Sequence, residues 1–272
     1  RSLHSHASGF FFFCMSQGHS GWCFRKAGDA PLTNGNGQGS FPCDELCGDG
    51  DPVNNAGSIR DLYELAKSDE GKYTTPVLWD KKTDSIVNNE STEILRIFDS
   101  QFQELCKNPE VILHPPELEE ASKLLNDSTI YERINNGVYR CGFARTQSAY
   151  EEAFEELFDA LDEVDERLGK QRYLCGDKLC WLDLRLFMTL IRFDEVYVVY
   201  FKTNKKLIRE YHNLYNYMID VFQTKGIGEV ISMSQIKTHY FTSHLLLNPF
   251  SVIPRGRNDI DYASLHHDRE KF

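Results

Sequence analysis

Between residues 184 and 201 the chain reads LRLFMTLIRFDEVYVVYF, apolar on nearly every side of a helix. A helix of that kind must be surrounded by others, so this stretch dictates a bundle with itself near the centre. Its neighbours read as the walls. SAYEEAFEELFDALDEVDERLG sets Tyr150, Ala153, Phe154, Leu157, Phe158, Leu161, Val164 and Leu168 at helical spacing. Ser148 with Glu151 forms a capping box at its start, and Gly169 stops it. KKLIREYHNLYNYMIDVFQ (205–223) is amphipathic again. From about 241 the tail, with Pro249, Pro254 and Gly256, is expected to wrap the surface as extended chain.

Ahead of the bundle the periodicity changes. SIRDLYELAKS predicts a short amphipathic helix, TTPVLWD (74–80) and DSIVN (84–88) predict two strands joined by a turn, and ESTEILRIFDSQFQEL (90–105) returns to helical spacing. Residues 1–57 are different: ten of the chain's 18 glycines fall there, and APLTNGNGQGSF (30–41) has linker composition. Phe10–Phe13 has the character of a short strand. The expected organisation is a divergent, poorly ordered segment over 1–57, a small α/β unit over 58–105, and an all-helical domain with an extended tail over 106–272.

With 30 basic against 41 acidic residues, the formal charge of −11 disfavours nucleic acid and anionic membrane as partners. No apolar run approaches the roughly 18 residues needed to span a bilayer. The reading is a cytoplasmic protein. The chain starts at Arg1 rather than Met, which leads us to expect an upstream portion, and an organellar address there stays open. Eight cysteines are scattered along the chain. Cys43 and Cys47, with Cys14, Cys23 and His19 nearby, have loose zinc-like spacing but no second pair to complete a site, so free thiols and no metal are expected.

GKYTTPVLWDKKTDSIVNNES (71–91) closely resembles the glutathione-binding segment of the glutathionyl-hydroquinone reductases, the xi-class glutathione transferases. INNGVYRCGFARTQSAYEEA (134–153), RLFMTLIRFDEVYVVYFKTNKK (185–206), IKTHYFTSH (236–244), NPFSVIP (248–254) and the ending HDREKF continue the likeness, with a weaker echo at GHSGWCF (18–24). The resemblance implies the glutathione transferase fold, with a thioredoxin-like domain followed by a helical one. It also implies glutathione as co-substrate, a glutathionylated aromatic substrate, and a homodimer formed through the helical domain.

The resemblance assigns Trp22, Lys72, Tyr73, Thr74, Thr75, Glu90 and Ser91 to the glutathione site. Thr75 precedes Pro76 where this fold carries a cis peptide bond, leaving the Thr75 backbone to pair with the tripeptide like an added strand. A plain strand-entry proline is the alternative. Glu90 and Ser91 open a helix, whose unpaired N–H groups suit a carboxylate and equally suit ordinary N-capping. Many relatives have Arg at Lys72 and Val at Thr75; a lysine keeps the charge but loses the bidentate fork. Tyr139 is implied as proton donor and acceptor for the aromatic substrate. Tyr197 and Tyr240 are implied as phenols that stabilise a thiolate, since a phenol stays protonated at neutral pH. Each tyrosine read singly is equally a core residue. In the implied reaction a cysteine thiolate attacks the sulfur of a glutathionyl-hydroquinone while Tyr139 moves the proton. A second glutathione then releases the enzyme from the mixed disulfide.

The nucleophile of that reaction belongs to a Cys-Pro-Trp motif at a helix N-terminus, and no Cys-Pro-Trp occurs here. Only seven residues separate Cys14 from Trp22, too few for a parallel crossover, so Cys14 is not a displaced nucleophile. The first strand, first helix and second strand of the thioredoxin-like unit are expected to be missing, leaving an incomplete sheet. Other departures are Cys180 in place of the family's helix-capping Ser, a lost cap costing roughly 1 kcal/mol. Tyr200, Thr203 and Ser251 stand where relatives often have His, Cys and Gly; Ser251 is strained if its φ is positive. Three readings remain, the first two being an enzyme of this family whose nucleophile lies outside the sequence and a non-catalytic glutathione-binding or interaction protein. A zinc adaptor built on the N-terminal cysteines is a third.

Overall fold

Ser58 caps the first α-helix among the described residues. Its hydroxyl accepts from the Asp61 amide at 3.3 Å while the Asp61 carboxylate accepts from the Ser58 amide at 2.8 Å, a reciprocal cap. The computed structural model describes residues 12–14, 21–43, 47–69, 71–257 and 260–272. They fall into two compact units, residues 1–101 with 238–254 and residues 102–237 with 255–272.

In the first unit, helix α1 (Ile59–Leu65) buries Ile59, Leu62 and Tyr63. Trp22, Phe24, Val77, Trp79 and Ile86 pack against that face. Among the described residues four strands pair as two separate antiparallel ribbons, β1 (Phe12–Cys14) with β2 (Gly21–Cys23) and β3 (Leu78–Asp80) with β4 (Ser85–Asn88). The strand expected at Phe10–Phe13 is therefore placed at Phe12–Cys14, its earlier residues lying outside the described ones. Asp80 shapes the β3–β4 turn by accepting from the Lys82 amide at 2.7 Å. Helix α2 (Ser91–Gln101) follows β4 directly.

Where composition suggests a loose linker, 21–43 and 47–57 carry a mesh of hydrogen-bonded turns. Leu32 and Phe41 exchange backbone bonds of 2.9 and 2.8 Å, and Leu32, Cys43 and Cys47 form a small core. Gly37, at φ 72°, closes the turn from Asn34. Asn34 is buried. Its amide donates to the Pro249 carbonyl at 3.0 Å and the Ser251 hydroxyl at 2.7 Å, while its oxygen accepts from the amides of Asn36 and Gln38. Ser251 has φ 52°, the left-handed conformation foreseen as strained, and its hydroxyl finds its partner in Asn34.

The second unit is helical. α3 (Glu119–Leu125) runs through a π-helical stretch (Asn126–Asn135) into α4 (Asn136–Phe143), and α5 (Gln147–Leu168) packs beside them. The cap of α5 is not Ser148: Thr146, extended at φ −134°, accepts from the Ala149 amide at 3.2 Å, so the helix begins two residues earlier. Gly169 ends it as expected. α6 (Trp181–Arg192) buries residues around most of its circumference, as its sequence requires, and passes through a second π-helical stretch (Phe193–Tyr197) into one last turn, α7 (Val198–Tyr200).

The helix expected over 205–223 begins only at α8 (His212–Gln223). The Asp194 carboxylate takes the Ile208 and Arg209 amides, and Tyr211 is extended. α9 (Met233–Ser243) carries helix past 241, and turn and extended chain follow it. Arg269, fully buried, donates to the carbonyl of Leu168, the last residue of α5, and to those of Gln171 and Arg172 in the loop that follows. Among the described residues no helix is long and apolar enough to cross a membrane.

Candidate functional site

In the first unit one hydroxyl gathers two distant segments. Tyr63 on α1 donates to the Thr74 carbonyl at 3.0 Å and lies 3.2 Å from the Thr74 hydroxyl. Asn89 donates to the Tyr63 hydroxyl at 3.0 Å and reaches the Thr74 hydroxyl at 3.4 Å. Thr74 immediately precedes Thr75, and Asn89 immediately precedes Glu90. The loop 72–75 is thereby fastened beside the N-terminus of α2. The Thr75–Pro76 peptide is cis, as the resemblance implies. The Glu90 amide donates to the Asn88 side chain at 2.7 Å, while the first amides of α2 have no preceding turn to bind.

Lys72, Tyr73, Thr74, Glu90 and Ser91 are exposed and Thr75 half-buried, so this edge faces solvent. The Tyr73 ring meets Tyr63 edge-on at 5.7 Å and carries the Arg60 guanidinium 5.4 Å from its centroid. A loop of extended backbone next to a helix N-terminus can hold a peptide-like anion, through backbone pairing on one side and helix-end N–H groups on the other. Tyr63 and Asn89 were not singled out from sequence. Tyr63 read only as part of the apolar face of α1, and nothing local marks a hydroxyl that reaches across to residues 74 and 89.

Trp22 stacks on His239 with ring centroids 4.6 Å apart, and His239 meets Tyr240 at 5.3 Å. Trp22 also packs on the cluster that holds Tyr63. Tyr240 is buried.

The other two tyrosines come together in the second unit. Tyr139 on α4 lies 6.0 Å from Tyr197, and Phe201 stands 5.3 Å from Tyr139 and stacks on Tyr197 at 5.4 Å. Tyr197 is buried, held at the end of the π-helical stretch, whereas Tyr139 is 38% exposed and keeps a face to solvent. Gly142 makes this cluster possible: a Cβ there would sit 2.1 Å from the Phe201 ring. Sequence reading missed Gly142, whose need appears only when α4 meets Phe201.

The cysteines divide by environment. Burial pushes the Cys141 thiol up to about 11, which leaves it inert. Cys14 lies on the β1–β2 ribbon, paired antiparallel with Gly21, which agrees with the sequence argument against a parallel crossover there. At Cys180 the lost cap is only half lost. The Asp183 carboxylate still accepts from the Cys180 amide at 2.9 Å, which keeps that half of the cap, and a thiol stands where a hydroxyl would accept more strongly. Among the described residues no group of three His, Cys, Asp or Glu side chains is placed to hold a metal.

Comparison with known proteins agrees with this architecture. Residues 147–219 match the glutathione S-transferase C-terminal domain family. The chain is 45% identical over 186 residues to the glutathionyl-hydroquinone reductase YqjG of Escherichia coli, an alignment covering 68% of this chain and 56% of that protein. It is 40% identical over 222 residues to the glutathionyl-hydroquinone reductase PcpF of Sphingobium chlorophenolicum, covering 81% and 70%. The glutathione-bound structure of the Escherichia coli protein superposes with a TM-score of 0.80 at 38% identity, covering 93% of this chain and 76% of that one. A xi-class transferase from Natrialba magadii gives 0.81 at 41%, covering 93% and 71%. The chain thus spans a little over half of the first relative and about seven tenths of the second. With 93% of the chain covered in both superpositions, the fold is that of a glutathione transferase, and the chain belongs to the glutathionyl-hydroquinone reductase family, the xi class.

Proposed function

We propose that this chain carries the glutathione site and the substrate-facing phenols of a glutathionyl-hydroquinone reductase. The observation that carries the reading is the bond set of Tyr63 with Thr74 and Asn89, which fastens the loop 72–75 beside the N-terminus of α2. Thr75 pairs with the tripeptide backbone. Ser91 and the α2 amides receive the γ-glutamyl carboxylate, and Glu90 takes its amino group. Lys72 meets the glycyl carboxylate, and Trp22 and Tyr73 border the peptide. Tyr139, the exposed member of its aromatic cluster, passes the proton to the departing aromatic carbon. Tyr197 and Tyr240 donate to the thiolate that attacks the glutathionyl sulfur. That thiolate belongs to a Cys-Pro-Trp the 272 residues do not contain. The chain as given therefore binds glutathione and turns over little glutathionyl-hydroquinone. A cytoplasmic homodimer, paired through the helical unit, completes the reading.

Calorimetric titration with glutathione tests it. Ser91→Ala should weaken binding about 10- to 100-fold, the worth of a hydrogen bond to a charged group. Equal affinity in the variant, or no binding by the parent chain, overturns the site. Robust turnover of a glutathionyl-hydroquinone by these residues alone would show that one of the eight cysteines is the nucleophile after all.

A further inference from the structure

The second unit holds a cavity of about 650 Å³, lined among others by Leu125, Thr129, Val164, Arg167, Lys170 and Cys175. Its size is within the roughly 300–1,000 Å³ of small-molecule sites. Its lining includes none of the residues placed in the glutathione and phenol sites above.

Cys175 is half-buried in its wall, and the fully buried Cys180 stands behind it. The two thiols are within hydrogen-bonding reach of one another. The loop joining them is pinned at both ends by one side chain. The Asp183 carboxylate accepts from the Leu174 amide, just before Cys175, and from the amide of Cys180 itself, each at 2.9 Å. Tyr173 and Gly176 exchange backbone bonds of 2.8 and 3.3 Å, tightening the turn that presents Cys175. Arg167 donates to the Leu174 carbonyl at 3.3 Å, bringing its charge beside that turn.

We propose that Cys175 and Cys180 form a redox-active thiol pair, with Cys175 as a modification site opening on this cavity that exchanges with glutathione disulfide and Cys180 as its resolving partner. The Cys175 thiolate attacks one sulfur of the disulfide. A Cys175–glutathione bond forms, the S–S bond of the oxidant breaks, and one glutathione leaves as thiolate. Cys180 then passes its proton to the departing glutathione thiolate and attacks the Cys175 sulfur; the Cys175–glutathione S–S bond breaks, the second glutathione leaves, and a Cys175–Cys180 disulfide remains. Two protein thiols are oxidised and one glutathione disulfide is reduced to two glutathiones.

The electrostatics favour this order. The hydrogen bond from Cys180 holds the Cys175 thiol below its ordinary value, against the opposing effects of burial and Asp183 and with help from Arg167. The same contact, with burial, raises Cys180 far above the ordinary range. The half-buried member of the pair is the nucleophile and the fully buried member holds the proton.

The test uses the full reduced chain incubated with glutathione disulfide and mapped by mass after tryptic digestion. Cys175 lies in the peptide 173–178 and Cys180 in 179–185, so an internal disulfide joins two separate peptides. The expected result is that pair, linked, in the parent chain. Cys180→Ser, which restores a hydroxyl cap to α6 and so does not threaten folding, should stop at one glutathione on the 173–178 peptide. Cys175→Ser should give neither product. Unlinked peptides in the parent chain, glutathione on exposed Cys106 but not Cys175 in Cys180→Ser, or uptake at Cys180 in Cys175→Ser would each overturn the proposal.

Discussion

Replacing Asp183 tests how α6, the central helix, is anchored. Its side chain is wholly buried, and three donors reach it at 2.9 Å each: the Leu174 amide and the Tyr217 hydroxyl at Oδ1, and the Cys180 amide at Oδ2. Asp183→Ala leaves all three donors buried without a partner. Each such donor costs about 1–3 kcal/mol, and since the three share one centre and relax together the total should be about 3–5 kcal/mol. Asp183→Asn is more selective. Its carbonyl oxygen in the Oδ1 position keeps Leu174 and Tyr217, while its amide faces the Cys180 N–H donor to donor, so about 1–3 kcal/mol should be lost. Urea midpoints at constant m measure both. An alanine variant within about 1 kcal/mol of the parent, or an asparagine variant as unstable as the alanine one, would refute the reasoning.

The same pair of proteins has a pH signature. Burial raises the Asp183 carboxyl above its ordinary 3.8, against the pull of its hydrogen-bond donors. In the window between 3.8 and the raised folded value, the folded chain binds this proton more tightly than the unfolded chain. The stability linked to that proton is present below the window and lost as pH rises through it. Asp183→Asn has no such proton, so the margin by which the parent exceeds it should be widest at acid pH and narrow as pH rises. A margin that widens with pH would reverse the sign and refute the assignment of burial as the cause.

Three further substitutions follow from particular contacts. Gly142→Ala places a methyl 2.1 Å from the buried Phe201 ring. Overpacking of about 1–3 kcal/mol should outweigh a helix-propensity gain of about 1 kcal/mol, and near-UV circular dichroism should report the displaced Tyr139–Tyr197–Phe201 cluster. Asn34→Ala removes four hydrogen bonds from a buried amide and should cost about 2–3 kcal/mol in thermal or urea melts, whereas a truly loose linker would show no change. Thr203 is fully buried with its hydroxyl unpartnered, so Thr203→Val should raise stability by about 1 kcal/mol in the same melts.

What could be read in advance depended on how local the cause was. α1, the β3–β4 turn and α6 were legible because periodicity and turn residues fix them within a few positions. The cis bond at Thr75 and the helix start at Ser91 were legible because the resemblance named them. The cap of α5 was misassigned by two residues because Thr146 and Ser148 are both hydroxyl residues, and only the backbone shows which one is extended. Tyr63, Asn89, Asn34 and Gly142 were invisible for a different reason. Each acts on a residue 11 to 217 positions away, and no local pattern encodes that distance.

Cys180 shows both limits at once. From sequence it was a lost hydroxyl cap and nothing more. In the structure Asp183 retains its half of the cap, and the same carboxylate pins the loop that sets Cys180 behind Cys175. A substitution that weakens one end of a helix thus places a second thiol where only a second thiol can be of use. Cys180→Ser separates the two effects: as a cap it should gain up to about 1 kcal/mol, and as a redox partner it should lose the disulfide altogether.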